Sequence, residues 1–341
     1  MLFKVVKAEE AVGKRLAFDV TKINERFKGA VFKRGHVVRA EDVEILKDSG
    51  HYYVYVEEES EELKNLRDEI GEVEAVYELG RFIVGDNVEV HEADEGKAVI
   101  TSKVKGIVKI NSEALKAINT SGVFVVVTRR NNDVVDVGST VGIVDLIPLT
   151  IPRSYLNYIK DLLSNSVPVV YVKPFNNLRV GLVITGTEIF EGRVEDKAYP
   201  VVKDKVVKYG GVLEGVVKVP DDKEVIKSAI REFINSYDVV IVTGGMSVDP
   251  TDFTPKAIAE VSDEVVIYGI PIKPNTMTMV AYLEGKPIIG VSSAIIYFRD
   301  WNVLDLLLPR VMAGDRIFKE DLITLGEGGL TEAFLKGMGR Y

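Results

Sequence analysis

YDVVIVTGGMSVDPTDFTP, residues Tyr237 to Pro255, decides how the rest of the chain is read. After Asp238 comes the apolar, mostly β-branched run Val239 to Val242, too short for a helix and suited to a strand buried on both faces. It runs straight into Thr243-Gly244-Gly245, where glycine lets the backbone turn sharply and approach a ligand without a Cβ in the way. A polar loop, Met246 to Phe253, leads to Thr254-Pro255, which reads as an N-cap with proline at the first helical position. Strand, glycine turn, acidic loop and helix together place backbone donors and a carboxylate at the carboxyl end of a strand. In open α/β sheets that edge is where ligands bind.

Working outward, the same alternation repeats. Strand Val180 to Ile184 precedes a helix over Ala198 to Tyr209. Strand Val212 to Val219 precedes a helix over Asp222 to Asn235, and a helix from Pro255 to Glu260 follows the central strand. Strands Val265 to Ile272, Thr278 to Leu283 and Pro287 to Val291 come next, and a last helix from Ala294 to Ala313 closes the unit. Repeated β-α-β units with near-continuous apolar strands predict an α/β domain over residues 176–313, its mostly parallel sheet covered by helices on both faces. A smaller β-rich α+β region precedes it. Residues 1–60 read as a mixed module with a helix at Ala40 to Ser49, and residues 61–150 as a β-rich subdomain of short strands between Gly, Asn and Asp turns. A charged run, Glu57 to Glu78, carries Leu63, Leu66, Ile70 and Val73 at helical spacing and predicts an amphipathic connecting helix. Residues 151–175 read as a helical linker, and 314–341 as a glycine-rich tail with a short helix at Thr331 to Lys336.

Composition narrows the chemistry. The 341 residues contain no cysteine, which excludes disulfides, thiolate nucleophiles and thiolate metal sites. The three histidines, His36, His51 and His91, lack ligand spacing. No apolar run reaches the length of a membrane span and the first residues lack a signal-peptide pattern, so the expectation is a cytoplasmic protein without a membrane partner. The net charge of −9, spread along the chain, speaks against nucleic acid as a partner. An anionic small molecule would therefore have to be held locally, by backbone amides, helix ends or a metal ion.

Three β-to-α junctions offer such groups: Thr185-Gly186-Thr187-Glu188, Pro220-Asp221-Asp222 and Thr243 to Asp252. Their exposed amides suit a phosphate, and Glu188, Asp221 and Asp252 suit magnesium or ligand N–H groups. Other duties compete. Asp221 has the position of an N-cap, with Glu224 completing a capping box. Asp222 reads as a first-turn charge favoured by the helix dipole, and Asp249 before Pro250 as a turn starter. Asp252 stands apart, because Thr254 takes the capping duty of the following helix. Arg129 to Asn132 reads as a solvated hairpin turn.

ITGTEIFEGRVEDKAYP, VVKVPDDKEVIKSAI and VVIVTGGMSVDPTDFTPKAI, at residues 184–200, 216–230 and 239–258, resemble the motifs of the molybdopterin-binding domain. That domain is shared by molybdopterin adenylyltransferases and molybdopterin molybdenumtransferases, and a related form occurs in competence-damage-type proteins. The likeness runs from about Val180 to Arg310. KAEEAVGKRLAFDV at residues 7–20 resembles the start of the molybdenumtransferases. LPRVMAGDRIFKEDLITLGEGGL at residues 308–330 resembles a subgroup without the transferases' final β domain.

The resemblance implies molybdopterin as ligand, with magnesium and ATP as companions, and a homo-oligomer, dimer or trimer. It places Asp221 and Asp252 at the pterin and magnesium-nucleotide site, as catalytic groups and metal ligands. The turns Thr185-Gly186 and Thr243-Gly244-Gly245, with Glu188, Met246 and Ser247, would face the pterin and its phosphate. The sequence departs from the transferases in two loops. Val291-Ser292-Ser293-Ala294-Ile295 stands where they carry Leu-Pro-Gly-Asn-Pro, and Pro274-Asn275-Thr276 where they carry Pro-Gly-Lys. Lys273, Ser292 and Ser293 are the residues left there to meet a phosphate. The implied function is binding of molybdopterin or its nucleotide in molybdenum or tungsten cofactor biosynthesis or delivery. The alternatives are an active magnesium-dependent adenylyltransferase or molybdenumtransferase, and a nucleotide or pterin pyrophosphatase or sensor on the same fold.

Overall fold

The computed structural model describes residues 2–24, 27–58, 68–93, 96–247, 249–250 and 252–338. They form two units, divided between Val172 and Lys173.

The first unit has two apolar cores. In the first, β1 (Leu2–Lys7) pairs antiparallel with a later strand, β2 (Val20–Asn24) and β3 (Phe27–Phe32) form a hairpin, and α1 (Asp42–Asp48) leads to β4 (Tyr53–Glu58), the partner of β1. Val6, Leu16, Val38, Leu46, Val54 and Val56 fill this core.

The second core begins with β5 (Glu69–Gly71) and α2 (Glu72–Ile83), followed by β6 (Val88–Ala93), β7 (Lys97–Ser102) and β8 (Gly106–Ile110). After α3 (Ser112–Thr120) come β9 (Phe124–Thr128), β10 (Val134–Val135), β11 (Thr140–Leu146) and β12 (Thr150–Pro152). The segment ends in α4 (Arg153–Leu163) and β13 (Val170–Pro174). A four-stranded antiparallel sheet of order β6-β7-β11-β9 is covered by α2, which buries Ala75, Val76, Leu79 and Ile83.

Two expectations change here. Residues 151–175 are not a linker, because α4 buries Leu156, Ile159 and Leu163 in this core and β13 joins β8 in a three-stranded sheet. The amphipathic helix expected over Glu57 to Glu78 begins only at Glu72; Ile70 is buried in β5, and residues 59–67, with Leu63 and Leu66, lie outside the described residues.

The second unit opens with β14 (Arg179–Thr185), α5 (Thr187–Phe190), α6 (Ala198–Lys208), β15 (Val212–Val219), α7 (Lys223–Ser236) and β16 (Val239–Thr243). It continues through α8 (Thr254–Val261), β17 (Glu264–Tyr268), β18 (Thr278–Leu283) and β19 (Lys286–Val291). It ends in α9 (Leu304–Met312), α10 (Lys319–Ile323) and α11 (Glu332–Met338). The six-stranded sheet has the order β15-β14-β16-β19-β18-β17. The first four strands run parallel, and β18 lies antiparallel to both of its neighbours.

Side-chain alternation builds the layers. Val180, Leu182, Ile184 and Ile241 point to the face covered by α6 and α9, with Val202, Val206, Leu304 and Leu308. Val183, Val240 and Val242 point to the face covered by α7 and α8, with Ile226, Ile230 and Ile258. Each fully buried aliphatic side chain contributes about 1.5–3 kcal/mol, so the apolar run of β16, buried throughout, is a main anchor of the unit.

Between α6 and α9 lies a buried ion pair. Lys205 Nζ is 2.7 Å from Asp305 Oδ2, their side chains 6% and 2% exposed. Asp305 also accepts from Tyr209 Oη at 2.6 Å, Lys208 Nζ at 2.9 Å and the Asn302 N–H at 2.9 Å.

The expected helix from Ala294 to Ala313 is broken. A 3-10 turn, Ser293–Tyr297, precedes α9, and buried Asn302 interrupts the chain by accepting from the Leu304 N–H and donating to the Phe298 carbonyl. The segment after Ala313 packs against the unit, with Ile317 and Leu322 in the core, and α11 overlaps the short helix expected at Thr331 to Lys336. Among the described residues no helix is long and apolar enough to cross a membrane.

Candidate functional site

The strand order fixes where a ligand can lie. From β14 the chain crosses to β15 on one side and returns to β16 on the other, so β14 and β16 flank the point where the winding reverses. Their carboxyl ends diverge into a crevice. Ile184 and Thr243 are partners in register at that end. A cavity of about 420 Å³ opens beyond them, within the range of small-molecule sites.

Two turns shape the near wall. Thr185 is 2% exposed; its Oγ1 donates to the Thr243 carbonyl at 3.2 Å and lies 3.1 Å from Thr254 Oγ1. Gly244 has φ +97°, and a Cβ there would stand 2.3 Å from the Thr185 carbonyl oxygen, so only glycine lets the two turns approach. Thr243 lines the cavity, is 1% exposed, and its Oγ1 finds no hydrogen-bond partner among the described residues. A buried hydroxyl without a partner is costly and marks a place where a ligand can satisfy it.

The acids hold the rim. Asp221 Oδ2 accepts the Thr187 N–H at 2.8 Å and the Thr187 hydroxyl at 3.2 Å, tying the loop after β15 to the start of α5. Asp252 Oδ2 accepts the N–H groups of Ser247 at 2.9 Å and Asp249 at 3.3 Å, and so orders the loop after β16. Tyr268 donates its hydroxyl to the Met246 carbonyl at 2.8 Å; burial, with the nearby negative charge of Asp252, pushes that hydroxyl above its ordinary pKa.

Five carboxylates line the cavity, Glu188, Glu195, Asp196, Asp221 and Asp252, against one cation, Lys197. Of these, Asp196 is already engaged by the Ala198 and Tyr199 N–H groups at 3.0 and 2.9 Å. An anionic ligand here needs a cation beside it. Among the described residues no three acidic or histidine side chains cluster as a ready metal site.

With this geometry in place, residues 181–304 match the family described as a probable molybdopterin binding domain. This segment belongs to the molybdopterin-binding domain family. A molybdopterin molybdenumtransferase of Staphylococcus aureus is 29% identical over 130 residues, covering 36% of this chain and 30% of that protein. One of Staphylococcus epidermidis is 30% identical over 125 residues, covering 33% of this chain and 29% of that protein. The chain thus spans about 30% of the length of the curated relatives it matches. Among solved structures, the molybdopterin biosynthesis enzyme MoaB from Thermus thermophilus is 18% identical with a TM-score of 0.35, covering 40% of this chain and 98% of that one. Residues 5–58 match a second family, described as a domain of unknown function.

The molybdopterin-binding domain brings Thr185, Gly186, Glu188, Asp221, Thr243, Gly244, Gly245, Asp252 and Ser293 to one cavity. Met246, Ser247, Lys273 and Ser292 do not line it. Met246 is 2% exposed and belongs to the apolar core under α7 and α8. Lys273 Nζ lies 5.9 Å from the centre of the Phe334 ring, and its carbonyl accepts the Thr331 hydroxyl at 2.6 Å. Ser292 Oγ accepts from Asn275 Nδ2 at 3.3 Å, so the two departing loops bond to each other.

Two capping assignments are corrected. Asp222, not Asp221, caps α7, accepting from the Glu224 and Val225 N–H groups at 2.9 and 3.0 Å. Phe253 holds the N-cap position of α8, and Thr254 is its first residue, fully buried. Asp252 therefore has a structural duty after all, in its own loop. Asp222→Ala is expected to lower stability by about 1 kcal/mol and leave ligand affinity unchanged, as thermal unfolding beside a binding titration would show.

The wall formed by Val194 to Ala198 went unassigned in the sequence. Its signal was Asp196, a capping-type residue two positions before Ala198.

Proposed function

We propose that this chain binds molybdopterin or its nucleotide form in the cavity at the ends of β14 and β16, and serves molybdenum or tungsten cofactor biosynthesis or delivery. The observation that carries the reading is the unsatisfied, buried Thr243 hydroxyl at a double glycine turn, with Asp221 and Asp252 on the rim. Thr185-Gly186 and Thr243-Gly244-Gly245 face the pterin and its phosphate, while Glu188 and Ser293 offer further polar contacts. Asp221 and Asp252 would hold magnesium. When bound, magnesium supplies the positive charge that offsets ligand phosphate against five carboxylates.

The acid excess also favours a second reading, in which the site turns over magnesium-ATP and molybdopterin as an adenylyltransferase or inserts the metal as a molybdenumtransferase. Asp221 and Asp252 would then orient phosphate and ligand, and stabilisation would come from positioning and electrostatics. An intracellular homo-oligomer is the setting we propose for either activity.

Calorimetric titration with purified molybdopterin, with and without magnesium-ATP, tests the reading. Binding strengthened by magnesium is expected. Asp252→Asn should weaken the magnesium-dependent part about tenfold or more, the size of one lost charge-assisted contact. No heat and no co-purifying pterin in the wild-type chain would overturn the proposal, and an unchanged affinity in the Asp252→Asn protein would remove Asp252 from the site.

A further inference from the structure

The break between the 3-10 turn and α9 exposes a stretch that the expected continuous helix would have wound into its own surface. Tyr297, Phe298, Arg299, Asp300 and Trp301 line a second cavity of about 310 Å³, closed on its other side by Lys336 and neighbouring residues of α11. Tyr297 is 72% exposed, and Phe298 leans on Phe334 of α11 with ring centres 6.1 Å apart, which holds the two walls together. Trp301 is the chain's only tryptophan.

The charges there are unspent. Every other basic residue described on α9 or on the segment leading into α10 is paired: Arg310 with Asp321 at 2.7 Å, and Arg316 with Glu264. Arg299 and Lys336 take part in no ion pair or hydrogen bond with another described side chain. Two free cations beside aromatic faces, in a concave site, suit a ligand that is planar at one end and anionic at the other. The ring stacks on the aromatics and the anion meets the cations. The Asp300 carboxylate adds an acceptor for ring N–H or sugar hydroxyl groups.

We propose that this groove binds a heteroaromatic ring bearing phosphate, a nucleotide or a pterin phosphate. The groove adjoins the first cavity through a single turn. Ser293 and Ile296 line the first cavity, and the next residue, Tyr297, lines the groove. An occupant of the groove therefore touches the same turn as an occupant of the first cavity. The groove's chemistry stands on its own residues and does not rest on the assignment of the first cavity.

Trp301 makes the test direct, since its fluorescence reports the groove and no other tryptophan contributes. ATP, AMP and purified molybdopterin are each titrated into the full chain, with inorganic phosphate and adenosine as partial probes. Saturable quenching by at least one of the three, tighter than by either partial probe, is expected. Whether the nucleotides or molybdopterin bind more tightly identifies the source of the ring. Tyr297→Ala and Arg299→Ala, both at the surface, should each weaken that binding about tenfold. Asp222→Ala, which lies outside both cavities, should leave it unchanged, and quenching that persists in the Asp252→Asn protein tells failure of the first cavity's assignment apart from failure of this one. Absence of saturable quenching by all three, or affinity indifferent to both groove substitutions, would overturn the proposal.

Discussion

Asp305→Ala is expected to lower the unfolding free energy of the second unit by about 3–5 kcal/mol, the usual result of leaving one member of a buried ion pair alone. Lys205, with a side chain 6% exposed, would keep only the Asp300 carbonyl at 3.0 Å as acceptor. Tyr209 and Lys208 would lose the same carboxylate. The double change Lys205→Met with Asp305→Leu should recover much of the loss, because it removes both charges and keeps the volume. Denaturant unfolding followed by Trp301 fluorescence measures both proteins, and the double-mutant comparison isolates the pair from simple packing loss.

The same pair sets an acid limit. Burial alone would raise the Asp305 pKa, but the hydrogen bonds from Lys205, Tyr209, the Asn302 amide and Lys208 outweigh it and hold the group below its ordinary value. A carboxyl depressed in the folded state adds stability that is fully present above its unfolded pKa, about 3.9. That stability is lost as pH falls through the folded value. Stability should therefore drop below about pH 4, and the drop should be smaller in the double variant.

Sequence reading succeeded where burial on both faces leaves one solution. The buried apolar runs of β14, β16 and β19 lie within one residue of their expected limits, and β18 falls on them. A buried parallel strand has no amphipathic ambiguity. The reading failed where two residues compete for one duty. Asp221 and Asp222 are chemically equivalent, and only the backbone at Asp222, with φ −126° and ψ 124°, decides which one caps α7.

It failed too where the apolar periodicity ran across a boundary. Ile70 and Val73 share a helical spacing, yet Gly71 turns the chain from β5 into α2 between them. Residues 294–313 carry enough apolar side chains for one helix, but Asn302 satisfies its side chain locally and starts a new one. That competition is typical of asparagine. The site was readable as far as its turns. Lys273 and Ser292 were not, because what each touches depends on distant segments: Thr331 and Phe334 for the first, Asn275 for the second.

Gly244→Ala should abolish ligand binding in the first cavity and cost about 2–3 kcal/mol or more of stability, and its two causes can be separated. One is backbone strain, since φ +97° belongs to a region that side chains rarely adopt. The other is a wall: the new Cβ would press on the Thr185 carbonyl oxygen from 2.3 Å and on Thr185 Oγ1 from 2.7 Å. Gly192 isolates the first cause, because it has φ +73° with nothing within 4 Å of an added Cβ. Gly192→Ala should therefore cost about 1 kcal/mol and leave binding intact. Relief of the Gly244 clash requires β14 and β16 to part at Thr185 and Thr243, where the cavity's unsatisfied hydroxyl sits, so stability and affinity should fall together in that variant alone. If the Gly244→Ala protein binds its ligand as the wild type does, the close approach of the two turns is a packing feature and the ligand lies elsewhere.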